Sequence, residues 1–469
     1  MKSTHHANGK SNLIHCDLCI IGAGSAGLSI AAGAVNMGAR TVLIEQHKMG
    51  GDCLNAGCVP SKALLAVAKC AQTVARAERF TIKAGPPEID WPAVRDHVQA
   101  IIATIEPNDS VERYQGMGVK VIKAQASFQG PRLVRAGDHL VQAKYYVIAT
   151  GSTAFIPEID GLDQIHYLTN ETIFTIDHLP EHLAILGGGP IGCELAQAFR
   201  RLGAKVSVIQ KHALLPRDDR EAAAIVEETL RQEGVELYCH TTTTRITREE
   251  AGIRLFLEGE AAPDSILASD LLLATGRRPV TDGLGLDKAG VQLAASGAVQ
   301  VSRRLRTNQR HIFAAGDVTG LPPFTHTASF HAGVLIRNLL LRIPAKADLK
   351  ALPWVTYTDP ELAQIGLNED TAIERFGADA LTILRWPYHE NDRAIAECAT
   401  KGFIKVICRK NGRVLGVTIV GSHAGELLAG WVDHVAHERK IGSIAGAVFP
   451  YPTLSELAKR AAGSFYTPT

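Results

Sequence analysis

Leu18-Cys19-Ile20-Ile21-Gly22-Ala23-Gly24-Ser25-Ala26-Gly27 is an apolar run that ends in Gly-x-Gly-x-x-Gly. A buried strand turns here into a helix, and Thr41-Val42-Leu43-Ile44-Glu45 follows as a second strand that ends in an acid. The strand-helix-strand context of a dinucleotide site is therefore complete. Glycines at 22, 24 and 27 allow the tight turn and the close approach of a pyrophosphate to the helix N-terminus, while Glu45 accepts from a ribose hydroxyl. Leu18 to Ala39 carries no charged residue and is long enough to cross a bilayer. Gly22, Gly24, Gly27, Gly33 and Gly38 lie inside it; they would weaken a membrane helix and suit a strand, a turn and a buried helix instead.

The same pattern recurs. Gly187-x-Gly189-x-x-Gly192 follows Leu183-Ala184-Ile185-Leu186, 165 residues after the first motif and glycine for glycine. Tyr146-Val147-Ile148-Ala149-Thr150-Gly151 closes the first unit and Leu272-Leu273-Ala274-Thr275-Gly276 the second, each reading as a buried strand that ends in a turn. Two dinucleotide sites in one chain imply hydride transfer from a nicotinamide to a flavin. The offset that relates the motifs carries Glu45 onto Gln210, so the second site lacks its ribose carboxylate. Lys211 and His212 follow directly, with Arg217 further on. Cations there favour a 2′-phosphate over a free hydroxyl pair. The expectation is NADPH, with NADH as the alternative.

Just after the first strand-helix-strand motif stands Gly50-Gly51-Asp52-Cys53-Leu54-Asn55-Ala56-Gly57-Cys58-Val59-Pro60-Ser61-Lys62, with two cysteines separated by four residues. The spacing is one that a helical turn closes, and a helix N-terminus stabilises a thiolate. Alone, such a pair is equally half of a zinc site or two buried thiols. No second pair of cysteines or histidines at metal-ligand spacing follows it. The stretch resembles the active-site disulfide of class I pyridine nucleotide-disulfide oxidoreductases, the family of dihydrolipoamide dehydrogenase, glutathione reductase and mercuric reductase.

That resemblance covers Asp17 to about Ala462. It implies an α/β fold with two Rossmann-like dinucleotide-binding domains, as in glutathione reductase, and a C-terminal α+β dimerisation domain. The implied boundaries are a disordered tail at 1–15, an FAD-binding domain at 16–157 and 282–352, an NAD(P)H-binding domain at 158–281, and an interface domain at 353–469 through which the family forms homodimers. Ile312-Phe313-Ala314-Ala315-Gly316-Asp317 is similar to the family's later flavin motif, in which the Asp carboxylate meets the ribityl chain. The resemblance also pairs Lys62 with Glu194 near the flavin N5, where the lysine stabilises negative charge in the reduced ring. It makes Cys58 the thiol that contacts the flavin and Cys53 the one that attacks or binds the external acceptor. The acceptor classes it implies are a small disulfide, a metal-thiolate or another electron acceptor.

One departure bears on the substrate. Relatives that reduce lipoamide or glutathione disulfide carry His-Pro-Thr-x-Ser-Glu near the C-terminus, with the His as acid/base across the dimer interface. Here the stretch is Phe449-Pro450-Tyr451-Pro452-Thr453-Leu454-Ser455-Glu456, so Tyr451 occupies the histidine's place while Ser455 and Glu456 are kept. An imidazole titrates near about 6.5 and a phenol near about 10, and losing a matched base costs on the order of 10²–10⁴ in rate. His389 and His423 are the other candidate proton carriers. Mercuric reductases are similar in having Phe-Pro-Tyr here and in preferring NADPH. They also deliver mercury through a vicinal cysteine pair at the C-terminus, whereas Ala462 to Thr469 holds no cysteine, and their N-terminal metal-binding domain is not among these 469 residues. The expected function is thus a mercuric-reductase-like NADPH oxidoreductase. The alternatives are a dihydrolipoamide dehydrogenase with an unusual proton shuttle and a flavin-based redox or metal sensor.

Bulk composition agrees with a globular enzyme. The chain has 46% hydrophobic and 21% charged residues and a formal net charge of +1, which gives no reason to expect nucleic acid or an anionic membrane as partner. Nine cysteines, an odd number scattered along a long chain, suggest a reducing compartment, the cytoplasm. Cys16 and Cys19 open a strand in which their side chains are expected on opposite faces. Cys70, Cys193, Cys239, Cys398 and Cys408 read as core or half-buried thiols.

Overall fold

The computed structural model describes residues 12–467 and divides into two compact units. The first comprises the chain up to Pro60, Gln99–Thr153 and Arg277–Asp348. Its sheet is built on β1 (Asn12–Ile21), followed by helix α1 (Ser25–Asn36) and β2 (Thr41–Glu45). β1 pairs in parallel with β2 on one side and with the strand His139–Ile148 on the other. Lys120–Lys123 adds outside β2. The first residues of His139–Ile148 pair with Leu133–Ala136 in an antiparallel meander, and its last three pair in parallel with Ile312–Ala314. The return of the chain therefore completes a sheet that the first segment leaves open.

Alternation along β1 sorts its side chains. Leu18 and Ile20 pack with α1 and the helix Thr325–Ile336, whereas Cys19 and Ile21 join Phe128, Tyr146 and Ile312 on the other face. Cys16 lies in that second core as well, which corrects the expectation of opposite faces for Cys16 and Cys19. The N–H groups of Asp17 and Leu18 both donate to the Arg40 carbonyl, and this irregularity resets the alternation between the two cysteines. β1 also begins at Asn12, so residues 12–15, expected in the tail, form parallel pairs with His139–Gln142. Residues 1–11 of that expected tail lie outside the described residues.

The second unit comprises Ser61–Val98, Ala154–Gly276 and Leu349–Thr469. Four parallel strands, in the order Glu236–Tyr238, Lys205–Ile209, His182–Leu186 and Asp270–Leu273, repeat the first sheet. The repeat extends to register: Leu18 pairs with Thr41 and Leu183 with Val206, each 165 residues apart. Leu349–Thr469 contributes a five-stranded antiparallel sheet whose core includes Tyr388, Trp431 and Leu457. Ser61–Val98, which the expected boundaries place with the first dinucleotide site, groups here because Trp91 packs on Phe199 with ring centroids 5.4 Å apart and donates to the Ile176 carbonyl at 3.1 Å. Among the described residues no helix is long and apolar enough to cross a membrane.

Candidate active site

In the first unit the glycine motif sits where β1 turns into α1. A Cβ on Gly22, at φ +104°, would lie 2.3 Å from the Ala149 carbonyl oxygen, and one on Gly27 would lie 1.9 Å from that of Gly22. Only glycine lets the strand and helix close here. Gly24 is the N-cap of α1 and supplies no side-chain cap, so the first-turn N–H groups are available to an anion. Gly51, at φ +61°, brings a second backbone against the first, since its Cβ would lie 2.7 Å from the Gly24 Cα. Glu45 is fixed at both oxygens, accepting the N–H of Ala23 and of His47 at 2.7 Å each, with lone pairs left for ribose hydroxyls. This cradle fits the adenine-dinucleotide half of FAD.

The later flavin motif lies in the same unit. Gly316 takes φ +75°, and its N–H donates to Nδ1 of the buried His331 at 3.2 Å. Asp317 Oδ2 accepts from Ser152 Oγ at 2.6 Å, and Ser152 Oγ accepts from Arg277 Nε at 2.8 Å. Arg277 also lies 3.4 Å from Asp52 Oδ2, beside Cys53. Thr150 donates to the Val280 carbonyl at 2.6 Å, and Gly151, at φ +71°, turns the chain after it.

The cysteines are not on one helical turn. Cys53 lies in the short helix α2 (Gly51–Asn55) and Cys58 begins α3 (Cys58–Ala75). The break falls at Ala56-Gly57, where Gly57 packs so closely on Asp52 that a Cβ would lie 2.8 Å from its Oδ2. Asn55 Nδ2 holds the bend by donating to the Met49 and Gly51 carbonyls at 2.9 and 2.8 Å. Neither cysteine is in a disulfide in this structure. Thr325 Oγ1 lies 3.3 Å from Cys58 Sγ. Cys53 is held well above the ordinary thiol range by its hydrogen bond with the Cys58 thiol and then by burial, with Thr325 acting in the opposite direction. One thiolate in the pair therefore discourages a second.

In the second unit Gly187, at φ +114°, and Gly192 repeat the close approach of Gly22 and Gly27. Gly189 caps the helix Pro190–Arg201, again without a side-chain cap. Gln210 Oε1 accepts the Gly188 N–H at 3.1 Å, the same bond Glu45 makes to Ala23, but through a neutral amide. The side chains of Lys211, His212 and Arg217 are exposed. Gly276 takes φ +127°, and its carbonyl accepts from the Phe155 N–H at 2.9 Å. Lys62, on α3, donates to Glu194 Oε2 at 2.8 Å. Tyr357 completes this cluster: its N–H donates to Glu194 Oε1 at 3.0 Å, and its ring lies under the Lys62 ammonium, 4.4 Å from the centroid.

Tyr451 is 69% exposed and donates to Asp392 Oδ2 at 2.7 Å. The carboxylate pushes the phenol above its ordinary range, so it holds its proton at neutral pH. Glu456 is the first residue of the helix Glu456–Gly463. His389 and His423 are both exposed. Of the remaining cysteines, Cys193 and Cys408 are buried and Cys239 is half-buried, but Cys70 and Cys398 are exposed, contrary to expectation.

Sequence reasoning missed Ser152, Arg277, Thr325, Tyr357 and Asp392. A signal existed for two of them, because Ser152 and Arg277 each directly follow the repeated Ala-Thr-Gly. The other three come from distant segments with no motif of their own.

Comparison with known proteins agrees with this organisation. Residues 16–332 match the pyridine nucleotide-disulphide oxidoreductase family and residues 352–462 match its dimerisation domain. The chain is similar to a mercuric reductase of Streptomyces lividans, with 37% identity over 96% of each chain. It is also similar to a dihydrolipoyl dehydrogenase of Thermus scotoductus, with 31% identity over 96% of this chain and 97% of that one. Among solved structures, the Cu(II) complex of the HOCl-induced flavoprotein disulfide reductase RclA from Escherichia coli superposes with a TM-score of 0.85 at 27% identity, covering 95% of this chain and 99% of that chain. The chain belongs to the pyridine nucleotide-disulphide oxidoreductases, a family of enzymes that use FAD and NAD(P)H.

Proposed function

We propose that this protein is an NADPH-dependent reductase of a thiol-bound soft metal ion, with Hg(II) as its substrate. The observation that carries the reading is Tyr451, whose phenol is hydrogen-bonded to Asp392 where disulfide-reducing relatives place a histidine. A phenol held protonated is a poor acid/base for thiol-disulfide exchange at neutral pH. Reduction of a metal ion held by two thiolates needs no such base, because the acceptor is the ion and soft thiolates select soft metals. NADPH and a mercuric bis-thiolate, with one proton, give NADP⁺, Hg(0) and two free thiols. FAD, when bound, supplies the two-electron relay between the nicotinamide and the cysteine pair.

Each residue has a place in this reading. Cys53 and Cys58 exchange with the incoming thiols and hold the metal. Thr325 orients the Cys58 sulfur, and Asp317, tied to Ser152 and Arg277, receives the ribityl hydroxyls. Lys62, steadied by Glu194, supplies positive charge where the flavin gains negative charge. Lys211 and Arg217 take the 2′-phosphate. Similarity to mercuric reductases over nearly the whole chain supports the metal, and the match to the dimerisation domain supports a homodimer in which Tyr451 serves the partner's cysteines. A thiol-rich cytoplasm suits a substrate that arrives as a thiolate complex.

The test is steady-state NADPH oxidation by the purified flavoprotein with Hg(II) buffered by excess small thiol, compared with oxidised lipoamide. Fast turnover with Hg(II) and little with lipoamide is expected. Fast lipoamide turnover would show that another group moves the proton and would overturn the reading.

A further inference from the structure

The loop between the strand Lys205–Ile209 and the helix Arg220–Gln232 is rigid at its base and open at its cationic side chains. Its first anchor is Gly188, whose N–H is taken by Gln210 and whose carbonyl accepts the Leu215 N–H at 2.9 Å. Leu214 and Leu215 are buried, and Leu215 holds φ +47°, a strained conformation for leucine that persists only where surroundings enforce it. Arg220 supplies part of that enforcement by donating to the carbonyls of Leu214, Leu215 and Asp218.

Two further anchors reach the loop from the dimerisation segment. Trp354 Nε1 donates to Asp218 Oδ1 at 2.7 Å. Lys405, with only 5% of its side chain accessible, meets Asp219 Oδ2 at 3.0 Å, Glu221 Oε2 at 3.0 Å and Glu369 Oε2 at 2.7 Å. Asp218 and Asp219 are 4% and 2% exposed, and Asp219 also caps the following helix through the Ala222 N–H at 3.1 Å. By contrast, the side chains of Lys211 and Arg217 make no hydrogen bond or ion pair among the described residues. Two buried aspartates are thus fixed by residues remote in sequence, directly beside the exposed Arg217.

We propose that Trp354 and Lys405 are positioning residues for nicotinamide discrimination: by clamping Asp218 and Asp219 they hold Lys211 and Arg217 ready for the 2′-phosphate of NADP(H). The inference rests on the assignment of Lys211 and Arg217 made above. Its physical content is preorganisation. A cation on a fixed loop loses less freedom when it meets a phosphate than one on a loose loop, so removing the clamp weakens only the ligand that carries the phosphate.

The experiment is calorimetric titration of the purified flavoprotein with NADP⁺ and with NAD⁺. Trp354→Phe keeps an aromatic ring but removes the indole N–H together with the five-membered ring; Asp218→Asn keeps an acceptor for the indole N–H; Lys211→Ala with Arg217→Ala removes the cations. Trp354→Phe is expected to weaken NADP⁺ by about fivefold to tenfold with NAD⁺ binding nearly unchanged, while Asp218→Asn stays close to the parent protein. The double alanine variant should lose NADP⁺ preference more fully. If the double variant loses that preference and Trp354→Phe keeps it, the clamp is wrong and the cofactor assignment stands. Equal weakening of NADP⁺ and NAD⁺ in Trp354→Phe would make Trp354 merely structural and also overturn the inference. An unchanged preference in the double variant would remove both readings together.

Discussion

At the scale of single residues, the fold fixes the protonation of groups that it buries. His331 is fully buried, accepts from the Gly316 N–H at Nδ1, and is pushed by burial from 6.5 down to about 4. A base whose pKa is depressed on folding contributes stability that is present above the unfolded value and lost as pH falls through the folded one. The window therefore runs from about 6.5 down to about 4, and the full shift corresponds to on the order of 3 kcal/mol. Thermal unfolding of the parent protein should fall steeply across that window, and His331→Asn should flatten the fall while lowering stability at neutral pH. An equal acid dependence in both proteins would show that other groups govern it. Nothing in the sequence flags this histidine, because its partner is a backbone N–H fifteen residues earlier. Glu45, in contrast, is legible, since a strand-terminal acid after a glycine motif has one obvious use.

At the scale of elements, the turns decide the site. The glycine motifs are readable because they need conformations and approaches that only glycine allows. The cysteine stretch is readable as a motif but not as a shape: Ala56-Gly57 breaks what spacing alone suggests is one turn, and the cause is the closeness of Gly57 to Asp52. Gly51→Ala tests the cradle. Its left-handed backbone would cost an alanine about 1–2 kcal/mol, and the added methyl would meet the Gly24 Cα at 2.7 Å. Loss of FAD during purification is expected, read from the ratio of flavin to protein absorbance. Gly38→Ala is the control, with a similar φ of +78° and nothing within 4 Å; it should keep its FAD at a small cost in stability. Equal flavin retention in both variants would mean that the Gly24–Gly51 approach does not shape the cofactor site.

At the scale of the whole molecule, the repeat made the architecture legible. The 165-residue offset carries through motif, strand register and even the hydrogen bond from the glycine loop to residue 45 or 210. What escaped the sequence is assembled from afar. Tyr357 reaches Glu194 across 163 residues and Trp354 reaches Asp218 across 136, and no local pattern encodes such meetings. In the proposed function the cysteine pair is the port through which electrons leave the protein. The direct test is Cys53→Ser, assayed with NADPH and thiol-buffered Hg(II) while FAD content and its anaerobic bleaching by NADPH are followed in the same sample. Flavin that stays bound and still bleaches, with Hg(II) reduction down to the background rate, is the expected result. Sustained Hg(II) turnover by that variant would contradict the assignment and send the electrons out by another route.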